Sequence, residues 1–521
     1  MFPHQVGLDF GTANSVVSYL ANGELHIFEY ESDNKQKHIT GWIVYDGNSI
    51  VIGDAARIEI ICNPNIDCYG RFEKQLLFHA LEYWNRERQQ RERMTVTADF
   101  LRELLFSSTV KNSSFSQQKG KIASLVISIP ESYYRDITSP EKRYLEQLIV
   151  NELGIAEKNF QLISDSVAAA AYWIWQKQHQ HLKTHGNLLV CHLGSSSLNL
   201  SLCAISTTNK VKVIYSDSQE DADFAFDRRC VQLAYTQKHG DSLTKENPEF
   251  MRLLRDFDLK KLNSQPESTS RLMTYLKMPE AMSEYNLYCF GGGYAVKCRH
   301  ISEAFAPIQN TIQEMSQRLQ IWMQSHQQSF DFLFLIGDLS QFILAQNAIL
   351  QTLDIQENDP RSDPNFNNAH SSFAISHGAC LIANSLIDPV ERCAYTFGIV
   401  GESLNAHAEK EQQLIPIIQS GTNLDDLLNT KFIDRPLLIA FTKHLLTITV
   451  WVDANIQGRI FKEVKLDGRQ LPNYSSDNNW RVGMRVSHAN ILYLVIEDCK
   501  AQQSLECELE IFADILTSRF K

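Results

Sequence analysis

The chain has no Cys-x-x-Cys pair among its 11 cysteines. An odd set without that spacing speaks against a zinc ribbon and against a disulfide framework. It has no uninterrupted apolar stretch of membrane-spanning length, and its opening, MFPHQVGLDF, lacks a basic segment followed by a long apolar one. The expectation is a cytoplasmic protein with no membrane partner. A basic excess is missing too: 49 Lys and Arg stand against 61 Asp and Glu, a formal net charge of −12. Nucleic-acid phosphates are bound by clustered cations, so no nucleic-acid partner is expected. What is present is ordinary. With 44% hydrophobic and 21% charged residues over 521 positions, the chain holds about two to four domain-sized units with substantial cores.

The most informative stretch is VGLDFGTANS, Val6 to Ser15. Val6, Leu8 and Phe10 alternate with Gly7 and Asp9, which reads as a buried strand, and Gly11-Thr12 reads as a tight turn. The alternation resumes in SVVSYLANGELHIFEYE, with Ala21-Asn22-Gly23 as a second turn signal. A three-stranded meander results, and its first turn brings a carboxylate, a glycine and a hydroxyl together. Backbone N–H groups around such a glycine can close on an anion, and Asp9 could hold a hydrated Mg²⁺ through water. NLLVCHLGSSSLNLSLCAI, Asn187 to Ile205, repeats the design: an apolar strand, Gly194, three serines, an alternating strand, the turn Thr207-Thr208-Asn209 and the strand VKVIYS. One unit recurring in this way implies two similar lobes facing each other.

Between the copies, HITGWIVYDGNSIVIGDAARIE reads as a hairpin around Asp46-Gly47-Asn48. NRERQQRERM reads as a solvated face, and TVTADFLRELLF as a helix with a threonine cap. The strand ASLVISIP ends at Pro130; an amphipathic helix from about Ser139 to Leu153 and the strand FQLIS follow, running into the Ala-rich helix DSVAAAAYWIWQ. After the second meander come a helix opened by DADFAFDRRCVQLAY, a helical region with LLRDFDLKKLNS, and two strands around Gly291-Gly292-Gly293 that read as a hairpin. Then follow a long helix, the strand FDFLFLIGD, a helix from about Gln341, the polar surface loop DIQENDPRSDPNFNNAHSS and the closing helix SFAISHGACLIANSL. From about Ile387 seven alternating segments dominate, from LIPIIQSG to LECELEIFADI. They read as a β-sandwich or barrel with no helical lid after it. His370, His377 and Cys380 have no standard metal-ligand spacing, and a buried closing helix explains Cys380 more simply.

These motifs resemble the actin/sugar-kinase/heat-shock nucleotide-binding superfamily, and VGLDFGTANS resembles the first phosphate motif of its DnaK-type heat-shock chaperones in particular. The fold the resemblance implies is α/β: a two-lobed, actin-like (ribonuclease-H-like duplicated) nucleotide-binding domain, with lobes at 1–186 and 187–386, then a β-sandwich-like substrate-binding domain at 387–521. Asp9, Gly11, Thr12 and Asn14 match the first phosphate turn, with Ala13 where the family has a second threonine. Lys74, in GRFEKQLL, falls near the family's catalytic lysine, and Asp165, in LISDSVAAAAY, stands where the family has a glutamate. The second turn, Gly194, Ser195, Ser196 and Ser197, departs from the family's Asp-Leu-Gly-Gly-Gly-Thr-Phe-Asp. His192 and Asn199 replace both aspartates. On the adenosine side, Asp256 aligns with a ribose-contacting glutamate, Lys260 with an adenine-stacking arginine and Asn263 with a serine. Gly337 is kept, Asp338 replaces a second glycine, Gln341 replaces an arginine, and Gly378-Ala379 is kept.

The cofactors so implied are ATP or ADP with Mg²⁺ at a weakened site. Losing one metal-side charge costs on the order of 2–4 kcal/mol of transition-state stabilisation, roughly 10²–10³ in rate. The expectation is a DnaK-like, ATP-binding chaperone that is at best a slow ATPase; the alternative is a non-hydrolysing pseudo-ATPase acting as a regulatory or scaffolding module. The implied partner is an unfolded or partner polypeptide held by the β domain, with a co-chaperone possible.

Overall fold

The computed structural model describes residues 3–30, 37–63, 66–70, 93–109, 113–135, 140–156, 159–207, 210–220, 222–244, 247–263, 265–356 and 358–389. Beyond these it describes 393, 395–404, 410–420, 422–423, 425–434, 437–438, 445–453, 459–467, 469, 479–487, 491–499 and 503–509. Lys74, residues 85–92 of the NRERQQRERM stretch and the turn residues Thr208 and Asn209 lie outside the described residues. The fold is mixed α/β with several sheets. It divides into two compact units, one of Met1–Ala123 with Asp165–Ile387, the other of Ser124–Ser164 with Asp388–Lys521.

In the first unit, strands His4–Phe10, Asn14–Ala21 and Glu24–Ile27 form an antiparallel meander. Its second turn has positive φ at both Asn22 and Gly23, the twist that a two-residue hairpin needs. The copy is Gly186–Leu193, Leu198–Ile205 and Val211–Gln219, extended by Phe332–Ile336, which runs parallel to Gly186–Leu193. Each meander rests on one helix. Asp165–His179 buries a run of four alanines, Ala168 to Ala171, and Ala374–Ala383 is buried along Ala374 to Ile382. Small residues let these elements touch: a Cβ on Gly378 would lie 1.6 Å from the Ala168 carbonyl oxygen, and one on Gly7 would lie 2.2 Å from the Cys380 amide nitrogen. Hydroxyl pairs finish both contacts, Ser18 Oγ donating to Ser376 at 2.9 Å and Ser166 Oγ to Ser201 at 2.7 Å. Ser18 lies seven residues after Gly11, as Ser201 does after Gly194, so the duplication extends from the turns down to the helix supports. Leu200, Phe226, Phe257 and Phe305 belong to the core behind the second copy.

Several local expectations need correction. The helix Arg93–Leu105 begins before Thr95, so that threonine lies within it and is no cap. The segment read as a polar surface loop contains the helix Pro364–His370, capped by Asp363 accepting from the Phe366 amide and anchored by buried Phe366. The helix at 140–152 changes to a π-turn over Leu148–Glu152.

In the second unit, Leu125–Ile129 pairs in parallel with Phe160–Ser164. The C-terminal strands make two antiparallel sheets. One has the order Lys410–Ile418, Thr396–Leu404, Leu445–Asp453, Arg459–Asp467; the other has Lys431–Phe432, Asn479–Val486, Leu492–Asp498, Ser504–Glu508, with Leu437–Leu438 also on Asn479–Val486. Period-two burial carries the core: Leu446, Ile448, Val450 and Val452 face inward from one sheet, Val482, Met484 and Val486 from the other. Thr396–Leu404, its two glycines breaking the alternation, is a strand the sequence pattern left out. Gly398 is needed there because Trp451 would lie 2.7 Å from a Cβ.

Candidate functional site

The two glycine turns are built alike. Gly11 N–H donates to the Asn14 carbonyl at 3.1 Å, and Gly194 N–H donates to the Ser197 carbonyl at 3.0 Å. Gly11 has no room for a side chain, since a Cβ would lie 2.6 Å from the Asn14 oxygen, and at Gly194 one would sit tightly, 3.1 Å from the Ser197 oxygen. The turns meet. Thr12 Oγ1 donates to Ser196 Oγ at 3.1 Å, a bond between residues 184 positions apart. Asp9, Ala13, Asn14, Ser196 and His192 around this junction are partly exposed, and Asp338 is exposed, so solvent reaches it.

At the position of the second turn that corresponds to Asp9 stands His192. Its ring is wedged: Cβ atoms on Gly194 and Gly337 would lie 3.2 Å and 2.8 Å from it. Its Nδ1 is 3.6 Å from Oδ2 of Asp165, a buried carboxylate at the start of the Ala-rich helix. An imidazole fits here because both neighbours are glycines. Gly337, at φ 91°, also abuts the Leu193 carbonyl, so it is fixed by conformation and by space together. Asn199 is buried; its Nδ2 donates to Ser197 Oγ at 3.3 Å, so it supports the turn from behind. Ser195 Oγ donates to Asp338 Oδ2 at 2.6 Å, and the Ser195 carbonyl accepts from Phe224 N–H in the first turn of the helix Asp223–His239.

Mg²⁺ takes oxygen ligands in near-octahedral geometry. The first turn offers Asp9. The second offers an imidazole and a carboxamide at the places where the resemblance leads one to expect carboxylates. Among the described residues no group of three or more His, Cys, Asp and Glu is arranged to hold a metal ion. The second turn does not fit a hydrated Mg²⁺ clamp.

The residues expected to meet a nucleoside sit on the helix Pro248–Asn263. Lys260 is exposed. Asp256 is ion-paired to Arg252 and Arg255, each at 3.3 Å, beneath Gly291, whose Cβ would lie 2.2 Å from its carboxylate. Asn263 ends the helix. The Gly291–Gly293 run is a hairpin turn, as its sequence suggests. Gln341 donates to Ser371 Oγ at 2.9 Å.

Two functional-looking pairs escaped sequence reasoning because their partners are far apart in the chain. Arg57, on the helix Gly53–Cys62, donates to Asp258 at 3.2 Å, 201 positions away, and ties the neighbourhood of the first meander to that of the second. Lys261, next to Lys260, is clasped by Asp223 at 2.6 Å and buried Asp227 at 2.7 Å. Burial alone would lower its pKa, but the two carboxylates more than offset this and hold the ammonium well above its ordinary value. The Asp-x-x-x-Asp spacing at one helix start was the available signal. His370 Nδ1 hydrogen-bonds the Tyr172 hydroxyl at 3.0 Å, and burial lowers the His377 pKa to about 4 and raises that of Cys380 to about 12.

No family model matches the chain. Two curated relatives are similar over part of it. One is a chaperone protein DnaK of Mycoplasma mycoides subsp. mycoides SC, 22% identical over 261 residues, which is 50% of this chain and 40% of that protein. The other is a chaperone protein DnaK of Mycoplasmoides gallisepticum, 25% identical over 205 residues, 39% of this chain and 31% of that protein. The aligned region spans less than half the length of either relative. These matches support a distant DnaK-like relationship. No helix among the described residues is long and apolar enough to cross a membrane.

Proposed function

We propose that the chain is a divergent, cytoplasmic DnaK-like chaperone whose nucleotide-binding part, residues 1–186 and 187–386 as two actin-like lobes, binds adenine nucleotide and hydrolyses it slowly at most. The observation that carries this reading is the pair of matching glycine turns joined through Thr12 and Ser196. In it, Gly11, Thr12, Ala13 and Asn14 would receive phosphate oxygens from one side and Gly194, Ser195, Ser196 and Ser197 from the other. Asp256, Lys260, Asn263 and Gly337 would line the nucleoside side, with Lys74 as the family-type catalytic lysine. Bound Mg²⁺ would supply charge neutralisation at the phosphates. Asp9 is the residue equipped to hold it through water; His192 offers no hard anionic oxygen. Asp165, which would join Asp9 and Lys74 in the catalytic set, has Oδ2 3.6 Å from His192 Nδ1.

The β region at 387–521 would hold an unfolded or partner polypeptide, with a sheet edge as a natural seat for an extended segment. A second reading, a pseudo-ATPase that signals by conformation, is favoured by one specific feature: the hydroxyls of the second turn are engaged by Thr12, Asn199 and Asp338. The two are separated by titrating the full chain with ATP, with and without Mg²⁺, alongside suppression of aggregation of a denatured client. Binding of ATP together with client protection supports the chaperone reading. ATP binding without client protection supports the pseudo-ATPase, and absence of both overturns the proposal.

A further inference from the structure

The second turn carries an anion of its own. Ser195 Oγ is buried, and its single proton is committed to Asp338 Oδ2 at 2.6 Å. That carboxylate is held there by its neighbour, since Gly337 is pinned against Leu193 and His192 with no room for a Cβ. The other two serines are also engaged within the chain, Ser196 accepting from Thr12 and Ser197 from Asn199. Asp338 acts electrostatically on the ring of His38, which is stacked on Phe373 at 4.7 Å between ring centroids. Burial lowers its pKa while Asp338 pulls it upward and Lys37 downward, with burial prevailing. Near neutral pH His38 is therefore uncharged and does not cancel the carboxylate.

A phosphate entering such a turn meets a fixed negative charge at hydrogen-bonding distance from the hydroxyl it needs. Like charges so placed repel, and the solvent that reaches the exposed carboxylate screens part of that repulsion. We propose that Asp338 is a specificity-determining residue that turns the junction away from polyphosphates and toward the least charged members of the nucleotide class, nucleoside and nucleoside monophosphate before di- and triphosphate. This rests on the nucleotide reading above and adds the ligand preference to it.

The test is calorimetric titration of the full-length chain and its Asp338→Asn and Asp338→Gly variants with adenosine, AMP, ADP and ATP, each with and without Mg²⁺. Asparagine keeps an acceptor for Ser195 and removes only the charge; glycine removes the group. In the unaltered chain, affinity is expected not to rise from adenosine to ATP. In both variants ATP affinity should rise at least about tenfold, while adenosine affinity changes by less than about twofold. If adenosine binds and Asp338→Asn leaves ATP affinity unchanged, this inference alone is overturned. If none of the four ligands binds any of the three proteins, the nucleotide reading falls and takes this inference with it.

Discussion

The two meanders share one backbone design and differ in chemistry, and the difference is concentrated at the turns. Gly11 and Gly194 close on their third neighbours with the same hydrogen bond, and Ser18 and Ser201 each pair with a serine of a supporting helix. Asp9 stands before the first turn; His192, braced by Asp165, stands before the second. The first turn is lined by Thr12, Ala13 and Asn14, whereas the second has three serines engaged by this chain's own groups. The two turns thus share one backbone geometry while a carboxylate, Asp9, stands before one and an imidazole, His192, before the other. Turn shape depends on glycine and backbone hydrogen bonds; metal and phosphate chemistry depends on side-chain charge.

The largest effect expected on this comparison lies behind the second copy. Lys261→Met leaves Asp223 and Asp227 without their shared cation, and removing one partner from a buried ion cluster costs about 3–5 kcal/mol. Denaturant unfolding should register that loss. Because the ammonium's pKa is raised in the folded chain, its contribution is present in full below about 10.5 and is lost as pH rises through the folded value. An unfolding free energy unchanged by the mutation would show that the cluster is not part of the second half's support.

Next in size is the strand floor. Gly7 of the first copy corresponds to Val190 of the second; Gly7 is approached by a backbone, the Cys380 amide, whereas Val190 carries a fully buried side chain. Gly7→Ala should cost about 1–3 kcal/mol by overpacking. Val190→Ala removes buried methyl groups and should cost no more. Equal tolerance of alanine at both positions, read as thermal midpoints, would remove the asymmetry between the two floors.

Smaller, and more telling for chemistry, is His192→Asp. It sets a carboxylate against Asp165 at a contact now 3.6 Å long. Like charges there should lower the thermal midpoint without divalent cation, and millimolar Mg²⁺ should restore it. A midpoint indifferent to Mg²⁺ would mean that the second turn lacks more than a charge.

How much of this was legible in the sequence follows from the range of each interaction. The meanders, both glycine turns, the Ala-rich helix and the Gly291–Gly293 hairpin were legible because periodicity and turn chemistry are local. The helix Pro364–His370 was hidden inside a polar segment, since its anchor is a single phenylalanine, Phe366. The strand Thr396–Leu404 was hidden by Gly398 and Gly401, which make room for Trp451 and Ile415 side chains that only the tertiary fold supplies. The departures at His192, Asn199 and Asp338 could be read as substitutions. That His192 abuts Gly337, or that Asp338 occupies Ser195, depends on residues more than a hundred positions apart.

The most direct measurement is single-turnover hydrolysis of ATP bound to this chain with Mg²⁺, run beside an ordinary DnaK under the same conditions. The expected result is a rate at least about 10²-fold below that of the ordinary DnaK. Rates that agree within a factor of a few would contradict the claim that the second turn has lost the chemistry its backbone was built to hold.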